Sequence, residues 1–522
     1  MLRKLKPRPG RQAFLPKKDI ILSCASALLL ALSFPVFNIS FLAWAAFVPL
    51  FVSLENKSRF QSFALAYISG FVFWLGTIYW LVHVTAAGMF VLAMYLAFCW
   101  GFFGLLICLA GSLRKPLAVL FIPAVWVLLE YLRSYALTGF PWALVAYTQS
   151  QATALIQFSD ITGAWGVSFL VLMVNAAAYI ILSSLRSGKA FKKTQLVIAC
   201  CVFLCAYIYG MTRISSVSRI NSDPSRPVSV SVIQGNIPQE IKWDNRAGEY
   251  IMNTYSGLSR RAVADKPDLI VWPEAAVPAI LSEGSDYKRG LEGLVSSMGV
   301  PLLTGAVTQS NGSYFNSAVL FEQNAPEQQY DKIHLVPFGE YIPLRSVFGF
   351  LETIVPIGEV QRGVDYRVFR LGGADNAYGP AFSVLICYED AFPDISRRMA
   401  LNGAQFLITV TNDAWYQRTS APYQHFQASV FRAVENRMWM VRSANTGVSG
   451  FIRPDGTTAG IVVGQGGNAI FNAGYLTGQI RVARGASTVY TMLGDWFIAV
   501  ALLIAVLCGQ VFRAVQGARQ HR

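Results

Sequence analysis

Cys387 is the residue of this chain best suited to covalent chemistry. It closes an apolar run, Phe382-Ser383-Val384-Leu385-Ile386, of the kind a buried strand needs. A cysteine at the end of such a run is as a rule a small buried hydrophobe, so its neighbours must argue for more. Tyr388, Glu389 and Asp390 follow it and a helical pattern comes next. The sequence therefore predicts a strand-to-helix turn, which would expose the side chain and set it near helix-end amides. A thiol attacks as the thiolate and needs a base, with a positive or hydrogen-bonding group for the oxyanion that forms. Glu274 closes a second apolar strand, Asp268-Leu269-Ile270-Val271-Trp272, directly after Pro273 and is a candidate base. Lys332, in Tyr330-Asp331-Lys332-Ile333-His334-Leu335-Val336-Pro337-Phe338-Gly339-Glu340-Tyr341, is a candidate oxyanion group. His334 and His425 compete with them, because imidazole is the usual partner of a catalytic thiol. Spacing does not choose between these pairings.

The elements that must carry these residues lie in an insert of about 270 residues, the size of one large α/β domain. It opens on Pro227-Val228-Ser229-Val230-Ser231-Val232-Ile233, which alternates as a half-buried strand does. Helical patterns over 244–263, 286–298, 393–402 and 421–438 separate the strands, so the insert reads as layered α/β.

The remainder of the chain is too apolar for a soluble protein, with 54% hydrophobic and 14% charged residues overall. Eight apolar stretches, over 20–34, 38–54, 62–82, 87–111, 117–133, 164–184, 195–212 and 491–512, approach the roughly 20 residues that cross a bilayer. The net charge of +14 sits in short clusters beside them, which signals topology rather than nucleic-acid binding. Arg3, Lys4, Lys6, Arg8, Arg11, Lys17 and Lys18 precede the first stretch, and Lys57 with Arg59, Arg114 with Lys115, and Arg186, Lys189, Lys192 and Lys193 mark alternate loops. The positive-inside rule then places both termini in the cytoplasm and the insert on the opposite face. The expected organisation is a cytoplasmic segment 1–19, seven transmembrane helices over 20–212, a periplasmic domain over 213–488, an eighth helix over 489–513 and a tail over 514–522. Seven of the eight cysteines fall inside predicted spans, which leaves Cys387 alone in a compartment that favours disulfides.

The order Glu274, Lys332, Cys387 and the three motifs around them resemble the nitrilase superfamily. Together with the hydrophobic helices, Gly139-Phe140-Pro141-Trp142 through Gln149, and Gln234-Gly235-Asn236-Ile237-Pro238-Gln239, the chain is similar to the apolipoprotein N-acyltransferase family over nearly its whole length. The resemblance implies a polytopic α-helical membrane domain joined to a nitrilase-like α/β/β/α sandwich in the bacterial inner membrane. It implies Glu274 as base, Lys332 as oxyanion residue and Cys387 as nucleophile, supported by Glu340, Tyr388 and Glu389, with Trp243 and Trp415 on mobile arms at the substrate entrance. The implied reaction moves an acyl chain from a phospholipid donor through a thioester to the N-terminal amine of an apolipoprotein. A tethered nitrilase-like amidase or lipid hydrolase is the rival, and a transporter with an inactive binding domain a more distant one. No paired Cys or His stands at metal-ligand spacing and no phosphate loop precedes a helix, so neither metal nor cofactor is expected. The apolar segment from Phe348 to Ile357 is expected to dip into the leaflet as a lid, and Trp80, Phe140 and Trp142 to line the entrance.

Overall fold

The computed structural model describes residues 14–115, 117–188, 193–220, 227–342, 360–376, 378–482 and 487–520. The expected lid over 348–357 and most of the basic N-terminal segment lie outside the described residues.

Among the described residues, six helices are long and apolar enough to cross a membrane: Arg59–Thr77, Ala86–Ala110, Ala118–Tyr135, Ala164–Ser187, Lys193–Ser216 and Trp496–Ala514. The first two apolar stretches differ from the sequence expectation, the first in position and the second in continuity. The first forms a helix over Lys17–Ala31, and the second breaks into a 3-10 turn over Ser40–Trp44 and a short helix over Val48–Ser53 that opens on Pro49. A proline fits the first turn of a helix but not its interior, so the helix starts anew there. The two stretches still pair back to back, through Ser23 Oγ and Ser53 Oγ at 3.1 Å and the Lys57–Asp19 ion pair at 2.5 Å. The seventh helix runs past the expected end at 212 as far as Ile220.

The basic loops gather at one end of the bundle. Cys108 Sγ contacts Lys57 O at 3.5 Å, Lys115 Nζ donates to Phe512 O at 3.2 Å, and Gln195 Nε2 donates to Lys115 O at 3.2 Å. The opposite end carries the α/β domain.

That domain contains strands β1 (Val228–Gln234), β2 (Leu269–Val271), β3 (Ile280–Leu281), β4 (Leu302–Ser310), β5 (Ser313–Phe321), β6 (Gln328–Asp331), β7 (Phe369–Arg370), β8 (Ala381–Ile386), β9 (Phe406–Thr411), β10 (Met440–Ala444), β11 (Gly450–Ile452), β12 (Thr458–Ile461) and β13 (Gly474–Ile480). One sheet runs β13-β1-β2-β4-β5-β6 with β3 beside β4, and the other β12-β11-β10-β9-β8-β7. Both have parallel centres, β1-β2-β4 and β8-β9-β10, whose strands are largely buried on both faces because layers cover each side. Helices Gly248–Ala262 and Asp286–Met298 cover the first sheet through Ile251, Tyr255, Leu258, Leu291 and Leu294. Helices Pro393–Leu401 and Ala421–Asn436 cover the second. Ser443 Oγ on β10 lies 3.0 Å from Ile233 O and 3.1 Å from Val271 O, which pins the two inner faces together. The expected α/β/β/α sandwich is the observed architecture, and the site residues stand at the carboxyl ends of its strands.

Helix Ala421–Asn436 also docks the domain onto the bundle. Trp80 Nε1 and Trp142 Nε1 donate to Gln424 Oε1 at 3.1 and 2.8 Å, while Gln424 Nε2 donates to Thr77 O at 3.0 Å. Ala164 N donates to Glu435 Oε1 at 3.0 Å, and Arg437 pairs with Asp160 at 2.8 Å.

One close approach fixes the backbone of the candidate base. A Cβ on Gly305 of β4 would lie 2.5 Å from Glu274 Cα and 2.6 Å from Ala275 N. Gly305→Ala is therefore expected to destabilise the domain by about 1–3 kcal/mol, as overpacking does. Thermal unfolding of the purified protein checks it, and an unchanged melting temperature would contradict the packing described.

Candidate active site

Four strand ends converge. β2 delivers Glu274, β6 delivers Lys332, β8 delivers Cys387 and β9 delivers Asn412 and Asp413. Neither the thiol nor the two charged groups are open to water: Cys387 is 8% exposed, Glu274 7% and Lys332 1%.

Lys332 is the centre of charge. Its Nζ donates to Glu340 Oε1 at 3.0 Å and to Glu274 Oε1 at 3.4 Å. Burial works against the ammonium, but Glu340 and Glu274 outweigh it and hold the lysine well above its ordinary range. Asn316 Nδ2 bridges the same two carboxylates, at 2.8 Å to Glu274 Oε1 and 2.7 Å to Glu340 Oε1. The second oxygen of Glu340 accepts from Val336 N at 2.8 Å, and that of Glu274 from Asn412 N at 2.9 Å. Both carboxylates are thereby aimed.

Cys387 adopts φ +54, a left-handed conformation that L residues rarely take. The turn is held from behind by Glu389, whose Oε2 accepts from Ile386 N at 2.8 Å. Its Oε1 accepts from Tyr330 Oη at 2.8 Å, Ile333 N at 2.6 Å and His334 N at 3.0 Å. One side chain thus ties the cysteine's strand to the lysine's. Burial raises the Glu389 carboxyl to about 7 against these donors.

Two features of the turn differ from expectation. The side chain is buried rather than exposed, and a 3-10 turn over Cys387–Ala391 separates it from the helix at Pro393. Burial and then the nearby Glu274 charge push the thiol well above its ordinary range, with Lys332 and a hydrogen bond from Thr411 acting the other way. The resting sulfur therefore carries its proton, and any attack by it would need a base.

Neither histidine can be that base. His334 packs its ring 3.7 Å from that of Phe392, and burial with Arg362 and Lys332 brings it down to about 4. His425 meets the carbonyl of Cys387, with Nε2 at 3.2 Å, and not the sulfur. Burial and Arg442 oppose its charge, but Asp390 at 2.8 Å and Asp413 at 2.9 Å raise it to about 9. It is a buried cation behind the turn.

The other expected residues are placed as follows. Tyr388 Oη donates to Gly139 O at 3.2 Å and its ring lies 6.2 Å from that of Trp142, so it contacts the membrane bundle. Trp80 and Trp142 are buried under Tyr416, Tyr388 and His425, forming a floor rather than an open rim. Phe140 stacks beside Trp142 at 6.3 Å. Trp243 and Trp415 are about half exposed, at 49% and 52%. Sequence reasoning missed Asn316, Asn412 and Lys242. Asn412 and Lys242 stand close to the aromatic residues Trp415 and Trp243 that were singled out, but Asn316 sits in an ordinary hairpin strand with no local signal.

Known proteins agree with this architecture. Residues 26–177 match the model of the apolipoprotein N-acyltransferase N-terminal domain, and residues 229–494 match that of the carbon-nitrogen hydrolases. The apolipoprotein N-acyltransferase of Geobacter metallireducens is 35% identical over 517 residues, covering 94% of this chain and 96% of that protein. The chain belongs to the apolipoprotein N-acyltransferase family. Those of Rickettsia prowazekii and Methylococcus capsulatus are 30% and 31% identical, over 94% and 92% of this chain and 96% and 93% of theirs. As a member of this family the chain is a multi-pass membrane acyltransferase with a nitrilase-superfamily domain.

For this N-acyltransferase, Glu389→Gln tests the brace behind Cys387. In either orientation the amide nitrogen faces a backbone N–H, which costs about 1–3 kcal/mol for the unsatisfied group. A lower melting temperature and slower modification of Cys387 by an acyl donor are expected, both read on the same preparation. Wild-type behaviour in both would show that Glu389 does not hold the turn.

Proposed function

We propose that the enzyme transfers an acyl chain from a glycerophospholipid, through a thioester on Cys387, to the N-terminal amine of the diacylglyceryl-cysteine of apolipoproteins. The observation that carries this reading is a buried thiol, facing Glu274 and Lys332, in a domain docked on an apolar helical bundle.

Glu274 takes the proton of the Cys387 thiol as sulfur attacks the ester carbonyl, and the negative charge on the carbonyl oxygen falls to Lys332 and a backbone amide. The carbon–oxygen bond then breaks, Glu274 returns the proton to the departing alkoxide, and lysophospholipid leaves. In the second half the neutral amine attacks the thioester and Glu274 accepts its proton. The carbon–sulfur bond breaks, the same proton passes to the thiolate, and an amide is formed. The scheme requires that water stay out while the thioester waits, and the low exposure of Cys387 supports this.

The location supports the same reading. A soluble enzyme would have to lift each acyl chain from the bilayer at about 0.8 kcal/mol per methylene, whereas a domain held at the leaflet does not. By the positive-inside rule the basic bundle end is cytoplasmic, so the catalytic domain is periplasmic and both termini are cytoplasmic, in the inner membrane of a bacterium. Trp243 and Trp415, half exposed beside the site, are the residues we assign to substrate contact.

Labelled phospholipid added to the purified enzyme is expected to leave an acyl mass on Cys387, which an amine-bearing lipopeptide then removes as an acylated product. Cys387→Ala is expected to form neither. Rapid release of free fatty acid with no lipopeptide acylation would overturn transfer in favour of hydrolysis.

A further inference from the structure

The centre contains a second lysine that the Glu274, Lys332 and Cys387 arrangement does not use. Lys242 is 4% exposed, and its Nζ donates to the backbone carbonyl of Glu274 at 3.1 Å. Its charge also acts on Cys387. Lys332 has two carboxylates on its ammonium, but among the described residues no carboxylate lies within ion-pair distance of Lys242. A buried, unpaired ammonium is costly, so the fold must hold it by other means. The segment over Gln239–Lys242 is tied at both ends: Asn412 Nδ2 donates to Gln239 Oε1 at 2.8 Å, and the same Asn412 aims Glu274 through its backbone N–H. A flexible surface lysine would not need this anchoring.

We propose that Lys242 is a positioning residue of the acyl-transfer centre, clamping the carbonyl of Glu274 and supplying positive charge to the Glu274–Cys387 pair as the sulfur loses its proton. With both lysines charged, the two cations balance Glu274 and Glu340, and the negative charge that develops on sulfur or the carbonyl oxygen meets a neutral site. Without Lys242 it meets a net negative one. The proposal rests on the thioester reading above.

The groups that face Lys242 are Glu274 and Cys387; both favour its charge, but burial is the larger effect and brings it down to about 8. Because the charged form is the effective one, activity is present below about 8 and is lost as pH rises through that value. The measurement must avoid the acceptor amine, which titrates in the same range. Acyl-enzyme formation from phospholipid alone, followed by mass in the full-length protein in detergent, meets that condition.

Wild type is expected to show an alkaline limb near pH 8. Lys242→Arg, which keeps the charge, is expected to move that limb upward by about one pH unit or more while preserving the rate at pH 7 within about tenfold. Lys242→Met is expected to slow acyl-enzyme formation at pH 7 by about 10- to 100-fold and to remove the limb. His425 titrates near 9 behind the turn, but its contribution would be the same in all three proteins. An Arg variant that keeps the wild-type limb, or a folded Met variant with the wild-type rate and profile, overturns the role of Lys242. Failure of the wild type to form any acyl-enzyme would overturn the thioester reading instead, so the two failures are distinct.

Discussion

The site depends on one buried ammonium. Lys332 lies almost wholly out of water, where an unpaired charge would cost several kcal/mol, and it is retained because Glu274 and Glu340 both reach it. Those carboxylates would in turn repel each other, and Asn316 stands between them with both N–H bonds committed. None of the three charges could be buried alone. One sheet delivers all three, from the ends of β2 and β6 and the loop after β6, and the facing sheet closes over them where Asn412 N donates to Glu274, so the sandwich is as much a device for closing this charge group as a hydrophobic core.

Cys387 is governed by a different constraint. A left-handed Cys387 has no glycine to ease it, and the conformation persists because Glu389 gathers four donors from two strands behind the turn. The same burial that permits this brace keeps the sulfur protonated. In the proposed reaction proton transfer and attack are therefore coupled, with the thiolate generated only where an acyl carbon is there to receive it. For an enzyme that must store an activated acyl group, a sulfur that is unreactive at rest is an advantage.

How much of this was legible in the sequence differs by residue. Strand ends bearing Glu274 and Cys387 follow from short apolar runs closed by polar residues, and their layering follows from the intervening helical patterns. The choice of Lys332 over the two histidines came from resemblance, since spacing cannot show that His334 packs on Phe392 or that His425 faces a carbonyl. Asn316 and Lys242 were illegible because their roles arise only when β5 and the segment before Trp243 fold against the end of β2. Local sequence has no term for such a contact. The second apolar stretch differs in the opposite way: hydropathy measured its length, but Pro49 and the turn before it decided where its helix runs.

Helix Ala421–Asn436 joins the two halves of the molecule, and its residues divide the work by face. Gln424, Glu435 and neighbouring Arg437 bind the bundle, while His425 and Ser429 point toward Asp390 and the Cys387 turn. Consecutive residues of one helix thus contact a tryptophan pair of the bundle and the carbonyl of Cys387. Rigid helices transmit displacement along their length, so the catalytic turn cannot shift relative to the bundle without breaking the Gln424 hydrogen bonds to Trp80 and Trp142. A hinged domain would let the sulfur wander from the leaflet by several ångströms, and each methylene then drawn from the bilayer would cost about 0.8 kcal/mol. The polar docking of this helix is the structural answer to that cost: it fixes the height of the thiol above the apolar helices, and does so with hydrogen bonds whose geometry admits one register.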